Sequence, residues 1–442
     1  MNFRKLVYFS YANFRGYKVS HLYQQLQQES SSVINIGTTQ KLLEKLLIHC
    51  KKNVPYYADY LNKISPDKLL MQEQEQWLTQ LPILTKDIIR ENFQQLQSAD
   101  LAQRKWYFNT SGGSTGEPIK IIQDQEYTDN SEAITLLYSH LVGRELGELE
   151  AYLWGSEQEV IKGTKGWKAN FFNFLSNTIY LNAFKMTPES MRRFLRCLNA
   201  KRPQLIIAYA QAIYELAKFT ESEHIKVVPQ KAIITSAGTL YPWMRDKIEM
   251  VFQCQVFNRY GSREVSNIAC ERPGCKGLWA APWGNYIEIV DDNNQPVPAG
   301  VEGNILITCL KNFAMPLIRY KIGDRGTLSA EYHSGQILQY VTGRNVDTFK
   351  TQDGTLIDGE YFTHLLYFRK WVKKFQIIQK SYSHISIKII QDARFSYQPE
   401  DLNDVISKCK KIMGETCIIS FEFVNDIPHA SSGKYRYTIS DI

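Results

Sequence analysis

From about residue 187 the chain alternates strand-like and helix-like segments, and that alternation constrains the fold more than any other feature. Thr187-Pro188 supplies a helix cap followed by a proline suited to the first turn, and Met191, Phe194, Leu195 and Leu198 recur at i, i+3, i+4 and i+7. Next come a strand-like "QLIIAY" (204–209), a helix around 211–220, a strand "KAIIT" (231–235), a helix after Pro242 and a short strand "QVFN" (255–258). Strand and helix in turn predict an α/β fold, with a mostly parallel sheet covered by helices. Ligand sites in such sheets lie at the carboxyl ends of the strands.

Either side of this region the texture differs. Residues 1–100 read as helical, with a Gln/Ser-rich helix end at 24–32 and Leu42, Leu43, Leu46 and Leu47 at helical spacing before "NVPYY" (53–57) breaks the pattern. After 284, "NYIEIV", the turn "DDNNQPVPAG" and "NILITCL" predict an antiparallel or β-barrel-like part. Beyond "GRNVD" (343–347) lies mixed strand and helix of a length that suits a small separate α+β domain. The expected organisation is a large N-terminal domain over 1–342, with 1–80 as a helical lead-in, and a small C-terminal domain over 343–442.

With 442 residues, 44% apolar and 22% charged, the chain can bury a sizeable core in two or more domains. The formal charge of +7 is spread along the sequence, so it reads as solvated faces and not as a nucleic-acid surface; it suits an anionic small substrate equally well. Arg and Asn interrupt the N-terminus before any long apolar run, which does not read as a signal peptide. No segment approaches the apolar length of a membrane span. The 8 cysteines are too scattered for a disulfide scaffold, so the expected compartment is the cytoplasm.

The stretch "FNTSGGSTGEP" (108–118) invites two motif readings. Gly112-x-Ser114-x-Gly116 matches the elbow of a serine hydrolase, which needs a helix directly after the serine, and glycines with hydroxyls suggest a Walker loop, which needs Gly-Lys-Ser/Thr. Neither context is present: Ile119-Lys120-Ile121-Ile122 continues as a strand, and no such lysine occurs. What remains is a strand-to-strand loop rich in amide and hydroxyl donors, either an ordinary hairpin or a concave phosphate site.

The loop has companions in fixed order. "TSGGSTGEP", "SAGTL" (236–240), "RYGSRE" (259–264), "RYKIGD" (319–324), "GRNVD" and "SSGKYR" (431–436) resemble the core motifs of adenylate-forming enzymes over about residues 80–442. Together with "LPILTKDIIREN" (81–92), the pattern looks most like the phenylacetate:CoA ligase branch, and within it the CapK-like proteins of capsular polysaccharide biosynthesis. That resemblance implies ATP- and Mg²⁺-dependent conversion of a small carboxylic acid to an acyl adenylate, followed by acyl transfer to CoA or to an amine or hydroxyl of a sugar precursor.

The resemblance also implies roles. Thr110, Ser111, Gly112, Gly113, Ser114, Thr115 and Gly116 would hold the β,γ-phosphates, with Glu117 where many relatives carry lysine. Ser236, Ala237 and Gly238 would line the adenine and acyl pockets, and Tyr260, with Gly261 and Ser262, would contact adenine. Glu264 would bind Mg²⁺, a hard cation that prefers oxygen ligands; Asp324 would accept from the ribose hydroxyls, with Arg344 assisting. Lys434 would be the catalytic lysine, stabilising charge that grows between carboxylate and α-phosphate and withdrawn for the second half-reaction. The hinge position of many relatives is Val346 here, followed by Asp347.

Three further expectations come from single features. Cys270 and Cys275 in "ACERPGCKG" have a spacing compatible with zinc, with Cys254 or Cys309 as distant partners. Tyr152, Trp154, Tyr180 and Tyr209 are candidate walls of an acid pocket, or core aromatics. The rival functions are a serine hydrolase using Ser114 and a non-catalytic nucleotide-binding scaffold.

Overall fold

A computed structural model of the chain describes residues 2–31, 37–63, 78–110, 119–155, 177–332, 335–342, 347–367, 369–427 and 436–442. The described residues fall into two compact units, one drawn from 1–111, 119–146 and 259–342, the other from 147–258 and 343–442.

The first unit opens with helices α1 (Phe3–Phe14) and α2 (Val19–Ser31), then Gly37–Asn53 and Pro55–Leu61. Pro55 ends one helix and starts the next, because it lacks an N–H to donate but fits a first turn. Leu43, Leu46 and Leu47 are fully buried. Strands β1 (Trp106–Thr110) and β2 (Lys120–Asp124) pair antiparallel, as expected of a hairpin around the glycine loop. Asp124 then caps the helix Gln125–Leu141, accepting from the Tyr127 amide at 2.9 Å.

The rest of this unit is an antiparallel sheet in the order β10–β11–β12–β13–β9–β8, ending on the second half of β7 (Gln255–Ser262). Its other strands are β8 (Ser266–Cys270), β9 (Leu278–Trp279), β10 (Asn285–Val290), β11 (Gly303–Cys309), β12 (Tyr320–Leu328) and β13 (Ile337–Thr342). The turn between β10 and β11 is set by Asp291, whose Oδ1 accepts the amides of Asn293 and Gln295 at 2.8 Å.

Just before β12, Arg319 sits at φ +53° and is 3% exposed. Its guanidinium donates to Glu288 at 3.0 Å and to the carbonyls of Thr79 and Leu81 at 3.2 and 2.9 Å. Removing it takes a buried guanidinium from Glu288 and from the carbonyls of Thr79 and Leu81. Arg319→Leu is therefore expected to lower unfolding free energy by about 3–5 kcal/mol, read as a shifted urea midpoint.

The second unit holds a parallel sheet in the order β7–β6–β5–β3–β4, with β3 (Glu150–Trp154), β4 (Thr178–Asn182), β5 (Leu205–Tyr209), β6 (Ala232–Ser236) and the first half of β7. The helix Pro188–Lys201 is capped by Thr187, which accepts from the Ser190 amide at 3.1 Å, and stops where Arg202 turns left-handed at φ +48°. Ala210–Ser222 and Pro242–Phe252 are the other helices of the alternating region.

The carboxy-terminal part of this unit has a β14–β15 hairpin (Thr348–Lys350, Leu356–Asp358) and a mixed sheet β18–β17–β16–β19 (Ile418–Phe423, His384–Gln391, Val372–Ser381, Thr438–Ser440). Two helices, Gly359–Tyr367 and Pro399–Met413, complete it. One apolar cluster runs from Leu153, Phe194 and Ile206 of the parallel layer to Phe349, Phe362 and Ile385. Burial of that size, at about 25 cal/mol per Å² of apolar surface, is the main force holding the unit.

Candidate active site

The motifs "RYGSRE" and "RYKIGD" meet in the first unit. Tyr260 of β7 donates its hydroxyl to Asp324 Oδ2 of β12 at 2.7 Å, and Tyr320 of β12 donates to Glu264 Oε1 at 3.2 Å. Glu264 is 5% exposed in the tight β7–β8 turn, and among the described residues Tyr320 is the donor to its carboxylate. A carboxylate oriented by a tyrosine hydroxyl is an oxygen donor of the kind a hard cation prefers. Gly261 belongs to the turn's construction, since a Cβ there would lie 2.7 Å from the Ser266 carbonyl oxygen. Ser262 Oγ accepts from the Val265 amide at 3.4 Å.

The same turn is tied to the hairpin that carries the glycine loop. Gln123 of β2 is fully buried and donates to the carbonyls of Arg263 and Glu264 at 3.0 and 3.1 Å. Asn109 of β1 donates to Gln123 Oε1 at 2.9 Å and to the Arg263 carbonyl at 3.2 Å, and its Oδ1 accepts the Thr110 amide at 2.8 Å. Thr110, the last residue of β1, is thereby placed one hydrogen-bonded step from the Glu264 turn. Gln123→Leu would remove the side-chain donor from the Glu264 carbonyl in the interior, while the Arg263 carbonyl keeps Asn109, so a loss of about 1–3 kcal/mol is expected, measurable as a lowered denaturation midpoint.

β2 also decides between the readings of the glycine loop. A strand pairing antiparallel with β1 follows the loop, where a hydrolase elbow requires a helix. Ser111, Gly112, Gly113, Ser114, Thr115, Gly116 and Glu117 themselves lie outside the described residues, as do Arg344, Val346 and Lys434.

In the second unit, the register aligns the carboxyl ends of neighbouring strands. Asn182 pairs with Trp154 and Tyr209 with Ser236, while Tyr180 pairs with Tyr152, so alternation puts these side chains on one face of the sheet. The Trp154 and Tyr209 rings are 4.4 Å apart, and the Tyr180 hydroxyl donates to the Trp154 carbonyl at 2.7 Å. Ser236 ends β6, Ala237 follows at φ +56°, and a Cβ on Gly238 would lie 3.8 Å from the Ala210 side chain. A left-handed alanine is a strained residue, of the kind concentrated at ligand sites. Thr239 Oγ1 is buried without a hydrogen-bond partner among the described residues, a donor the sequence reading did not single out.

Asp347 anchors the last strand of this unit. Its amide donates to Thr438 Oγ1 at 2.7 Å, while its carboxylate accepts the Ser440 amide at 3.0 Å and pairs with Arg436. Arg436, two positions beyond Lys434, has its carbonyl bonded to Gln376 at 2.9 Å.

The zinc expectation does not fit. Among the described residues no three His, Cys, Asp or Glu side chains come together as a metal site, and all four candidate cysteines are described. Cys270 is 1% exposed opposite Trp279, and burial pushes its thiol up to about 12. Burial likewise pushes Cys254 up to about 12 and Cys309 up to about 11, and raises Cys275. The spacing of Cys270 and Cys275 reflects a turn; Arg272 within it lies 4.3 Å from the Trp279 ring centroid.

The chain is similar to several known proteins. Residues 349–441 match the family model of the CapK C-terminal domain. The chain is 26% identical over 444 residues to Protein CapK of Staphylococcus aureus, covering 96% of this chain and 93% of that one. It is 22% identical over 312 residues to a phenylacetate-coenzyme A ligase of Aromatoleum evansii, 68% of each chain. Among solved structures, 2-hydroxyisobutyryl-CoA ligase bound to 2-HIB-AMP and CoA superposes with a TM-score of 0.58 at 16% identity, covering 91% of this chain and 89% of that one. The chain thus matches the CapK C-terminal domain over 349–441, is similar over nearly its whole length to Protein CapK and over about two thirds to phenylacetate-coenzyme A ligase, and shares the fold of the superposed CoA ligase.

Proposed function

We propose that the protein is an adenylate-forming ligase that uses ATP and Mg²⁺ to activate a small carboxylic acid. A carboxylate oxygen attacks the α-phosphorus, the bond from that phosphorus to the bridging oxygen breaks, and pyrophosphate leaves. A thiol, amine or hydroxyl then attacks the acyl carbon, and AMP departs with the electron pair of the broken ester bond. The observation that carries this reading is the pairing of Tyr260 with Asp324 and of Tyr320 with the buried Glu264, which joins two separated motifs through two carboxylates.

In this reading Asp324 and Tyr260 receive the nucleoside, and Glu264 holds Mg²⁺, which neutralises phosphate charge. The glycine loop grips the leaving phosphates, and Lys434 in the 343–442 domain stabilises the pentacoordinate α-phosphorus. Arg344 assists Asp324. The aromatic face of Tyr152, Trp154, Tyr180 and Tyr209 serves as the wall for the acid.

CoA is the favoured acceptor, because both the related sequence and the superposed structure are named as CoA ligases. An amine or hydroxyl of a sugar precursor is the second reading, favoured by the full-length similarity to Protein CapK. A panel of carboxylic acids in ATP–pyrophosphate exchange tests the first half-reaction. Exchange with at least one acid is expected; ATP binding without exchange for any acid supports the scaffold instead.

A further inference from the structure

Helix α1 carries apolar side chains on both of its faces. Inward, Ala12 is buried and Tyr8 and Phe9 pack against a cluster containing Tyr23, Leu137 and Trp279, with the Tyr8 hydroxyl donating to Glu132 at 2.9 Å. Outward, Phe3, Leu6, Val7, Ser10 and Phe14 follow at i, i+3, i+4, i+7 and i+11, the spacing of one helical stripe. Phe3 and Phe14 are 72% and 88% exposed, and Leu6 and Tyr11 are exposed as well. Scattered exposed apolar residues need no explanation, but a continuous stripe on a helix already anchored by its other face does.

The charge around the stripe has one sign. Residues 1–28 contain Arg4, Lys5, Arg15 and Lys18 and no Asp or Glu. Arg15 and Lys18, just past Phe14, are exposed. Three acidic side chains lie beside the helix, each bonded to it or to the residues that follow it: buried Asp129 accepts the Lys18 amide at 2.8 Å, exposed Glu132 accepts Tyr8, and Glu145 pairs with Lys5 at 2.7 Å. Phenylalanine and leucine on one side with lysine and arginine at the border is the composition of a helix that lies in a bilayer interface.

We propose that α1 is an interfacial helix, laying Phe3, Leu6, Val7 and Phe14 into an anionic lipid surface while Arg15 and Lys18 meet the headgroups. No helix among the described residues is long and apolar enough to cross a membrane, so the contact is peripheral. Charge complementarity selects lipid over a second copy of the chain, since two such faces would bring like charges together.

Flotation of the full chain with phosphatidylcholine vesicles, with and without phosphatidylglycerol, tests this. Binding is expected only when phosphatidylglycerol is present, and it should weaken as salt is raised. The Phe3→Ser/Phe14→Ser variant should bind at least about tenfold more weakly. Arg15→Glu/Lys18→Glu should weaken binding by about tenfold or more. Both variants should keep the parent unfolding midpoint, because the changed side chains face outward. No flotation with anionic vesicles, or flotation that Phe3→Ser/Phe14→Ser leaves unchanged, overturns the proposal. So does light scattering that shows a dimer which this variant converts to monomer.

Discussion

Replacing Lys434 with Ala is expected to lower acid-dependent pyrophosphate exchange by at least about a hundredfold. In the adenylation step two anions are brought together, and negative charge builds between the carboxylate and the α-phosphate. A single ammonium on a flexible stem is suited to that point. Lys434 also stands close in sequence to a fixed anchor, because Arg436 is held by Asp347. Transfer of the acyl group from a chemically prepared acyl adenylate should survive in Lys434→Ala, since the charge it neutralises is already spent by then. In the proposed function Ser114→Ala would remove only one hydroxyl donor to a phosphate, so about a tenfold effect is expected. The opposite ranking, with Lys434→Ala active and Ser114→Ala dead, identifies a hydrolase.

Glu264→Gln is expected to reduce exchange by about 100- to 1000-fold and to raise the Mg²⁺ concentration needed for half-maximal rate. The exchange of a carboxylate for an amide keeps shape and keeps an acceptor for the Tyr320 hydroxyl, which now lies 3.2 Å from Oε1. Stability should therefore change little, so that the loss reports on metal binding. Tyr320→Phe leaves the carboxylate in place and loses only its orienting donor; a smaller loss of about tenfold is expected. If Glu264→Gln keeps the parent rate and the parent Mg²⁺ dependence, Glu264 does not hold the metal.

Local periodicity made much of the fold legible. The cap at Thr187 and the apolar stripe after it correspond to the helix Pro188–Lys201, and the runs around 204–209 and 231–235 are β5 and β6. These segments are written by short-range rules of capping, period and strand composition. Strands were also expected on both sides of the glycine loop, and β1 and β2 are there.

What local rules do not encode is the long-range hydrogen bonding. Gln123 reads as a polar residue of a strand, yet it is buried because its amide finds the carbonyls of Arg263 and Glu264 far along the chain. Tyr320 and Arg319 sit inside a recognised motif, but their partners Glu264 and Glu288 are set by strand order alone. The cysteine spacing is open for the converse reason: a short Cys–Cys separation is compatible with a metal loop or with plain thiols, and burial of Cys270 depends on its packing opposite Trp279.

The most direct test follows the fate of a carboxylate oxygen. An acid that supports exchange, labelled with ¹⁸O in its carboxylate, is incubated with ATP, Mg²⁺ and the acceptor, and the AMP produced is analysed by mass spectrometry. Formation of an acyl adenylate predicts one labelled oxygen in the AMP phosphate, because the carboxylate oxygen that attacked phosphorus stays with it when the acyl group leaves. AMP without label, or label-free ADP and phosphate as the nucleotide products, contradicts adenylation.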